Sequence, residues 1–124
     1  MTDAKQIAER YIALWNEPDP EVRTALFAQD WAEGATYSDP MMSGRGAAEI
    51  DRLIEGVHKQ FPNFSFQLTG KPDGHGEHVR FSWSLGPGDY VDAPFEGTDI
   101  ALVRYGRIEA VTGFLDRLPQ AMAA

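Results

Sequence analysis

The order of patterns along the chain predicts an α+β fold in which helices cover one face of an antiparallel sheet. Three segments with apolar residues at helical spacing come first, and segments in which apolar and polar residues alternate follow them. Glycine-containing turns separate the alternating segments, so successive strands can pair as hairpins. The 124 residues are enough for one hydrophobic core, and we expect a single domain over residues 1–124.

The three helices are predicted from apolar residues that recur every three or four positions. The first spans 4–15, with Thr2 or Asp3 as its cap, and the second spans 21–28, directly after Pro20. The third follows a Gly-Arg-Gly segment at 44–46 and ends before Pro62. The residues expected to face the core are Ala4, Ile7, Ala8, Tyr11 and Trp15 in the first helix, Val22, Ala25 and Leu26 in the second, and Ala47, Ile50, Ile54, Val57 and Phe61 in the third.

The strands are predicted at 35–38, 64–69, 78–85, 95–105 and 108–115. Turns at 71–76, at 86–89 and at Gly106 separate the last four strands. The strand at 95–105 carries Ile100 and Leu102 on one face and Ala101 and Val103 on the other. Because the helices can cover only one face, we expect the other face to contact a second copy in a homodimer joined through the sheet.

Composition excludes several classes of partner and chemistry. The net charge of −8 repels phosphate groups, so we expect neither nucleic acid nor an anionic membrane as a partner. The chain contains no cysteine, which excludes disulfides and thiol catalysis. It has no signal-peptide pattern and no apolar run long enough to span a membrane, so we expect a soluble, cytoplasmic protein. We expect no metal or cofactor, because His75 and His78 have no acidic partners and phosphate-binding motifs are lacking.

Two aspartates occupy unusual positions. Asp99 shares a strand face with Ala101 and Val103, so we expect it to be buried, with a pKa raised above the ordinary value. A buried carboxyl needs protonation or a hydrogen-bonded partner. The simpler interpretation is that Asp99 lies at a solvated pocket rim or makes a structural hydrogen bond, and the other is that it faces the cavity. Asp39 precedes Pro40 at the end of the first strand, where a turn-forming Asp-Pro is the simpler interpretation and a cavity edge is the other.

Several aromatic and methionine side chains are candidates for the core or for the wall of an apolar pocket. Tyr11 lies in the middle of the apolar stripe of the first helix, and its hydroxyl needs a hydrogen-bond partner if it is buried. We predict a pocket whose wall is formed by Trp15, Trp31, Tyr37, Met41, Met42, Phe61, Trp83 and Phe114.

Four segments carry a resemblance to a known family: AERYIALWN at 8–16, ALFAQDWAEGATYSDP at 25–40, SGRGAAEIDRLIEG at 43–56 and GTDIALVRYGRIEAVTGFLD at 97–116. Their order resembles the nuclear-transport-factor-2-like superfamily, and within it the SnoaL-like and ketosteroid-isomerase-like branch, over nearly the whole chain. The resemblance implies a cone-shaped, highly curved antiparallel sheet with three helices packed on its concave side, a cystatin-like roll, and dimers joined through the sheet. Residues 31–34 resemble an insertion before the first strand, which could displace Asp39.

The resemblance also implies a site. Tyr11, in an Arg-Tyr pair, and Asp99, in the long strand, match the two neutral donors of ketosteroid isomerases, while Asp39 matches the catalytic base. The implied activity is cofactor-independent proton abstraction next to the carbonyl of a small apolar compound, as in an isomerase or a polyketide cyclase. Two alternatives are a non-catalytic protein of this fold that binds a small hydrophobic ligand, and a structural dimer with a vestigial pocket.

Overall fold

Three helices and six strands make up the part of the chain that the computed structural model describes, residues 3–88 and 92–120. Thr2 and Asp89, which belong to a predicted cap and a predicted turn, lie outside the described residues. Asp3 caps the first helix by accepting a hydrogen bond from the backbone of Gln6 at 3.1 Å. The elements are α1 (Ala4–Asn16), α2 (Pro20–Asp30), β1 (Trp31–Ser38), β2 (Ser43–Arg45), α3 (Gly46–Gln60), β3 (Phe64–His75), β4 (His78–Pro87), β5 (Phe95–Arg104) and β6 (Arg107–Arg117).

The strands form one curved, mixed sheet in the order β2-β1-β6-β5-β4-β3. The α+β class with three helices is confirmed, and β3 to β6 pair as successive antiparallel hairpins. One strand pair differs from the prediction, because β1 lies parallel to β6, with Tyr37 opposite Val111. A hairpin dictates the direction of its own two strands, but β1 and β6 are far apart in the chain, so no turn determines their relative direction.

β2 was not predicted, and the largest differences from the predicted strand boundaries lie at the end of β3 and at the start of β1. The predicted turn at 71–76 is strand as far as His75, because β3 is an edge strand and an edge strand tolerates Pro72 and its missing N–H group. The segment at 31–34, which resembles an insertion, belongs to β1. An irregularity in the β1–β6 register between Trp31 and Thr36 accommodates the additional residues.

The second helix buries a different face from the predicted one. Val22 and Ala25 are exposed and Leu26 is only partly buried, whereas Arg23, Phe27 and Asp30 are buried. The guanidinium group of Arg23 forms ion pairs with Asp51 and Glu55 of α3, and it donates to the backbone carbonyl groups of Glu17 and Pro18. This network draws the charged side chain inward and turns the apolar residues beside it towards solvent.

The other two helices pack against one face of the sheet. α1 buries Ile7, Ala8, Tyr11 and Trp15 as expected, and α3 buries Ile50 and Ile54 completely, although Ala47 is exposed. On the opposite face of β5, Ile100 and Leu102 are partly exposed, and the homodimer through this face stays a prediction. Within residues 3–88 and 92–120, no helix has the length and apolar character needed to cross a membrane.

Candidate functional site

A cavity of about 230 Å³ lies between α1, α3, the loop after β1 and the helix-covered face of the sheet. Apolar side chains form most of its wall. The ionisable residues on the described wall are Tyr11, Tyr37, Asp39 and Asp99. The three residues of the predicted catalytic set, Tyr11, Asp39 and Asp99, therefore face one space, although α1, the β1 loop and β5 are far apart in the chain.

Asp99 is the most deeply buried acid of the cavity, with 1% of its surface exposed. The hydroxyl of Tyr11 donates to its Oδ2 at 2.6 Å, and the indole N–H of Trp83 donates to its Oδ1 at 3.0 Å. Burial raises the pKa of Asp99 to about 6, while these two hydrogen bonds act in the opposite direction. Burial, together with the charge of Asp99, also holds the pKa of Tyr11 well above its ordinary value, so this phenol keeps its proton.

Asp39 combines the two interpretations that the sequence left open. Its Oδ1 accepts the backbone N–H groups of Met41 and Met42 at 2.7 and 3.0 Å, which is a turn-forming arrangement. Its Oδ2 accepts the hydroxyl of Tyr37 at 2.6 Å, and both side chains line the cavity. Burial raises the pKa of Tyr37, so its hydroxyl stays a donor. Asp39 therefore shapes the turn and also presents a carboxylate to the cavity.

Gly113 of β6 lies close to both acids of the cavity. A Cβ atom built on Gly113 would lie 2.8 Å from Oδ1 of Asp99, 3.3 Å from Cβ of Asp39 and 3.5 Å from the hydroxyl oxygen of Tyr37. Gly113 is paired with Asp99 across the β5–β6 ladder. The absence of a side chain at this position therefore allows the carboxyl group of Asp99 and the side chain of Asp39 to approach one stretch of bare backbone.

Gly97 has a similar relation to Trp83, since a Cβ atom there would collide with the indole ring. Sequence reasoning placed Trp83 in the pocket wall but did not identify it as a hydrogen-bond donor to Asp99. It also missed both strand glycines. A glycine inside an otherwise regular strand often marks a close approach of another group, and that signal was available at Gly97 and Gly113.

Most of the predicted wall residues line the cavity: Trp15, Tyr37, Met41, Met42, Phe61 and Trp83. The prediction was wrong for Trp31 and Phe114. Trp31 is buried behind Tyr11, with ring centroids 6.1 Å apart, and therefore belongs to the core. Phe114 is 51% exposed on the opposite face of β6, because neighbouring residues of a strand point to opposite sides and Gly113 faces the cavity.

The structure offers no metal centre among the residues it describes. The rings of His75 and His78 lie 6.4 Å apart on the exposed hairpin that joins β3 and β4. In the described ranges, no group of three or more His, Cys, Asp or Glu side chains is arranged to hold a metal ion.

Comparisons with known proteins concern the family and the fold of the chain. The family model described as the SnoaL-like domain matches residues 8–111. A protein of the SnoaL-like family from Agrobacterium tumefaciens, named as a candidate isomerase, is 46% identical to the chain. Its structure superposes with a TM-score of 0.87, covering 94% of this chain and 99% of that chain. A comparison with curated proteins gave no match.

Two more distant structures share the fold. A candidate ketosteroid isomerase from Kribbella flavida is 20% identical, with a TM-score of 0.69, and the match covers 98% of this chain and 83% of that one. A candidate polyketide cyclase from Sinorhizobium meliloti is 16% identical, with a TM-score of 0.68, and the match covers 87% and 93% of the two chains. At these identities the likeness concerns the fold alone.

Proposed function

This chain belongs to the SnoaL-like domain family, and on that premise we propose that it is a cofactor-independent enzyme that removes a proton next to the carbonyl group of a small apolar compound. One observation carries the proposal: two aspartates with different surroundings face the same apolar cavity. Asp99 is buried and has a pKa of about 6, whereas Asp39 is partly exposed and held by three donors. Such a pair can supply one neutral and one charged carboxyl group in a single site.

Asp39 is the proposed base. A carboxylate offers about four lone-pair positions, and the three donors on Asp39 leave capacity for the proton of a substrate. The C–H bond next to the carbonyl breaks, its proton passes to Asp39, and its electron pair forms the carbon–carbon double bond of an enolate. The fixed orientation of Asp39 keeps the base aimed at the substrate throughout this step.

Tyr11 and Asp99 are the proposed donors to the enolate oxygen. Both lose a proton only above their ordinary pKa values, so below about pH 6 both can present an O–H group. Without a ligand, Tyr11 donates its single O–H to Asp99 at 2.6 Å. When a substrate oxygen enters beside this pair, the Tyr11 O–H turns from Asp99 to that oxygen, and protonated Asp99 donates its own O–H to the same oxygen. Negative charge that develops on the oxygen is then stabilised by two neutral donors within a mostly apolar wall.

The enolate has two productive outcomes. In an unsaturated ketone, whose enolate is conjugated with a carbon–carbon double bond, return of the proton from Asp39 to the far carbon gives an isomer. In a dicarbonyl compound, attack of the enolate carbon on the second carbonyl gives a ring, and the proton passes from Asp39 to the new alkoxide oxygen. Relatives named as candidate isomerases and as a candidate polyketide cyclase are consistent with both outcomes. The cavity, at about 230 Å³, lies below the roughly 300–1,000 Å³ of sites for drug-sized ligands, which favours a substrate smaller than a steroid.

A second candidate function is non-catalytic binding of a small hydrophobic ligand. The observation that favours it is that both acids already have hydrogen-bond partners from the protein, two on Asp99 and three on Asp39. A cavity whose acids are already hydrogen-bonded to the protein can bind an apolar ligand without catalysing a reaction.

Exchange of substrate protons with solvent deuterium separates the two functions. A panel of small ketones is incubated with the protein in deuterated buffer, and loss of the proton signals next to the carbonyl is followed by NMR. We expect exchange by the wild type, and we expect Asp39→Asn to abolish it while ligand affinity survives. Asp73→Asn, at an exposed ion pair with Arg80, is the matched control and should exchange like the wild type. Ketones that bind without exchange above buffer would support the binding function instead.

A further inference from the structure

The indole N–H of Trp15 is a buried donor that the proposed reaction does not use. Trp15 is 3% exposed, and among the described residues its Nε1 atom has no hydrogen-bond partner. Trp15 also lines the cavity. Buried polar groups nearly always have a partner, so an exception in the wall of a cavity needs an explanation. The indole N–H of Trp83, on the same wall, is by contrast bonded to Asp99.

Trp15 is held in place, so its unused donor does not result from a loose helix end. His58 of α3 approaches the backbone oxygen of Trp15 at 2.6 Å, and because a carbonyl only accepts, the ring nitrogen is the donor. The side chain of the next residue, Asn16, bonds both backbone groups of Phe66 at 2.8 and 2.9 Å. The indole ring itself packs against Tyr37 and Phe66, with centroids 5.3 and 5.6 Å apart.

The position of Trp15 relates it to the proposed oxyanion donors. Trp15 follows Tyr11 by four residues on α1, which places the two rings one helical turn apart, with centroids separated by 6.2 Å. A ligand whose first oxygen lies at Tyr11 can thus direct a second oxygen towards Trp15. An indole N–H only donates, so this second group must be an acceptor. Asp39 and Asp99 on the same wall disfavour a negatively charged ligand.

We propose that Trp15 donates its indole N–H to a second oxygen of the ligand, and that the substrates are small neutral compounds carrying a carbonyl and a second oxygen acceptor. The position of the first oxygen rests on the proposed function. The nitrogen is closed to water, so the wall adjusts as the ligand binds. Met41 and Met42 line the same cavity on flexible, unbranched side chains that can accommodate this change.

A matched pair of ketones tests the proposal by binding alone, without turnover. Acetonylacetone and methyl butyl ketone have the same six-carbon chain, and only the first carries a second carbonyl. We expect the wild type to bind acetonylacetone roughly tenfold more tightly, the effect of one added hydrogen bond. In Trp15→Phe the ratio of the two affinities should fall to about one. Trp31→Phe, in the core outside the cavity, should keep the wild-type ratio.

Proton–nitrogen correlation spectra give a second measurement on the unchanged protein. The chain has three tryptophans, and the Trp15→Phe variant assigns the side-chain N–H signal of Trp15. That signal should move downfield with acetonylacetone and stay near its place with methyl butyl ketone. Equal affinities, or an unmoved signal when acetonylacetone is bound, would overturn the role of Trp15 and leave the proposed reaction intact. If neither ketone binds, both proposals fail.

Discussion

The hydrogen bond from Trp83 to Asp99 leads to a prediction about the pH dependence of the site. Trp83→Phe removes a donor that lies 3.0 Å from Oδ1 of a buried carboxyl group, while it retains an aromatic ring in the wall. A hydrogen bond to a charged group contributes about 1.5–3 kcal/mol, and one pKa unit corresponds to about 1.4 kcal/mol. The substitution should therefore raise the pKa of Asp99 from about 6 to roughly 7–8.

The sign of the effect on activity follows from the proposed role of Asp99. As a donor to the enolate oxygen, Asp99 must be neutral, so wild-type activity should fall as the pH rises through about 6. In Trp83→Phe the same fall should occur at roughly pH 7–8. The free energy of unfolding also decreases with rising pH, because the pKa of Asp99 in the folded protein is above its ordinary value of 3.8. The free energy of unfolding should decrease as the pH rises from about 4 to 6 in the wild type, and the decrease should continue to roughly 7–8 in the variant.

Two measurements check this prediction. The carboxyl carbon signal of Asp99 in labelled protein reports its pKa directly, and kcat/KM for proton exchange is measured over the same pH range. Trp31→Phe is the matched control, since its indole lies in the core and is not bonded to Asp99. An unchanged or lowered pKa in Trp83→Phe would refute the effect assigned to this hydrogen bond. A raised pKa with an unmoved activity profile would refute the donor role of Asp99.

Three further predictions concern the glycine between the acids, the buried ion cluster and the outer face of the sheet. Gly113→Ala should displace the acids and lower proton exchange about a hundredfold, whereas Gly56→Ala, in α3 with no atom within 4 Å of the added Cβ, should leave exchange unchanged. Arg23→Ala should lower the free energy of unfolding by about 2–4 kcal/mol in urea titrations, because it leaves a cavity and unpaired acids, and Arg80→Ala, at an exposed pair, by less than about 1 kcal/mol. A similar loss in both would refute the special role of the cluster. Phe114→Glu should shift sedimentation from dimer towards monomer without loss of ligand binding, and a wild type that sediments as a monomer would contradict the expected homodimer.

The spacing of apolar residues predicted correctly those helices and strands that are buried on one face only. α1 and α3 each bury one stripe against the sheet, and burial alternates along β5 and along the first half of β4 because one face is covered by helices. α2 was predicted correctly as a helix, but its buried face was wrong. A pattern of apolar residues cannot show that Arg23 has two acidic partners on a helix that follows it in the chain. The parallel pairing of β1 with β6 is likewise decided by strands far apart in sequence.

The candidate site was predictable only in part. The resemblance identified Tyr11, Asp39 and Asp99, and the structure brings them to one cavity. The hydrogen bonds that join them to their neighbours depend on the register of β4, β5 and β6, which one sequence does not reveal. For that reason Trp83 was predicted as a wall residue, and Gly113 was not singled out. Phe114 was placed in the wall because an aromatic residue alone does not show which face of its strand it occupies.

The glycines at 97 and 113 also determine where the site can change during evolution. Both positions must stay without a side chain. Gly97 leaves space for the ring of Trp83, and Gly113 leaves space for the two acids. A side chain at either position would therefore displace residues of the candidate site. Met41, Met42 and Phe61 line the same cavity without bonding either acid through their side chains. Libraries that aim at new ligands should therefore vary these three positions and keep the two glycines. The positions that can change are thus side chains of the cavity wall, and the positions that must be kept are the two glycines of the sheet.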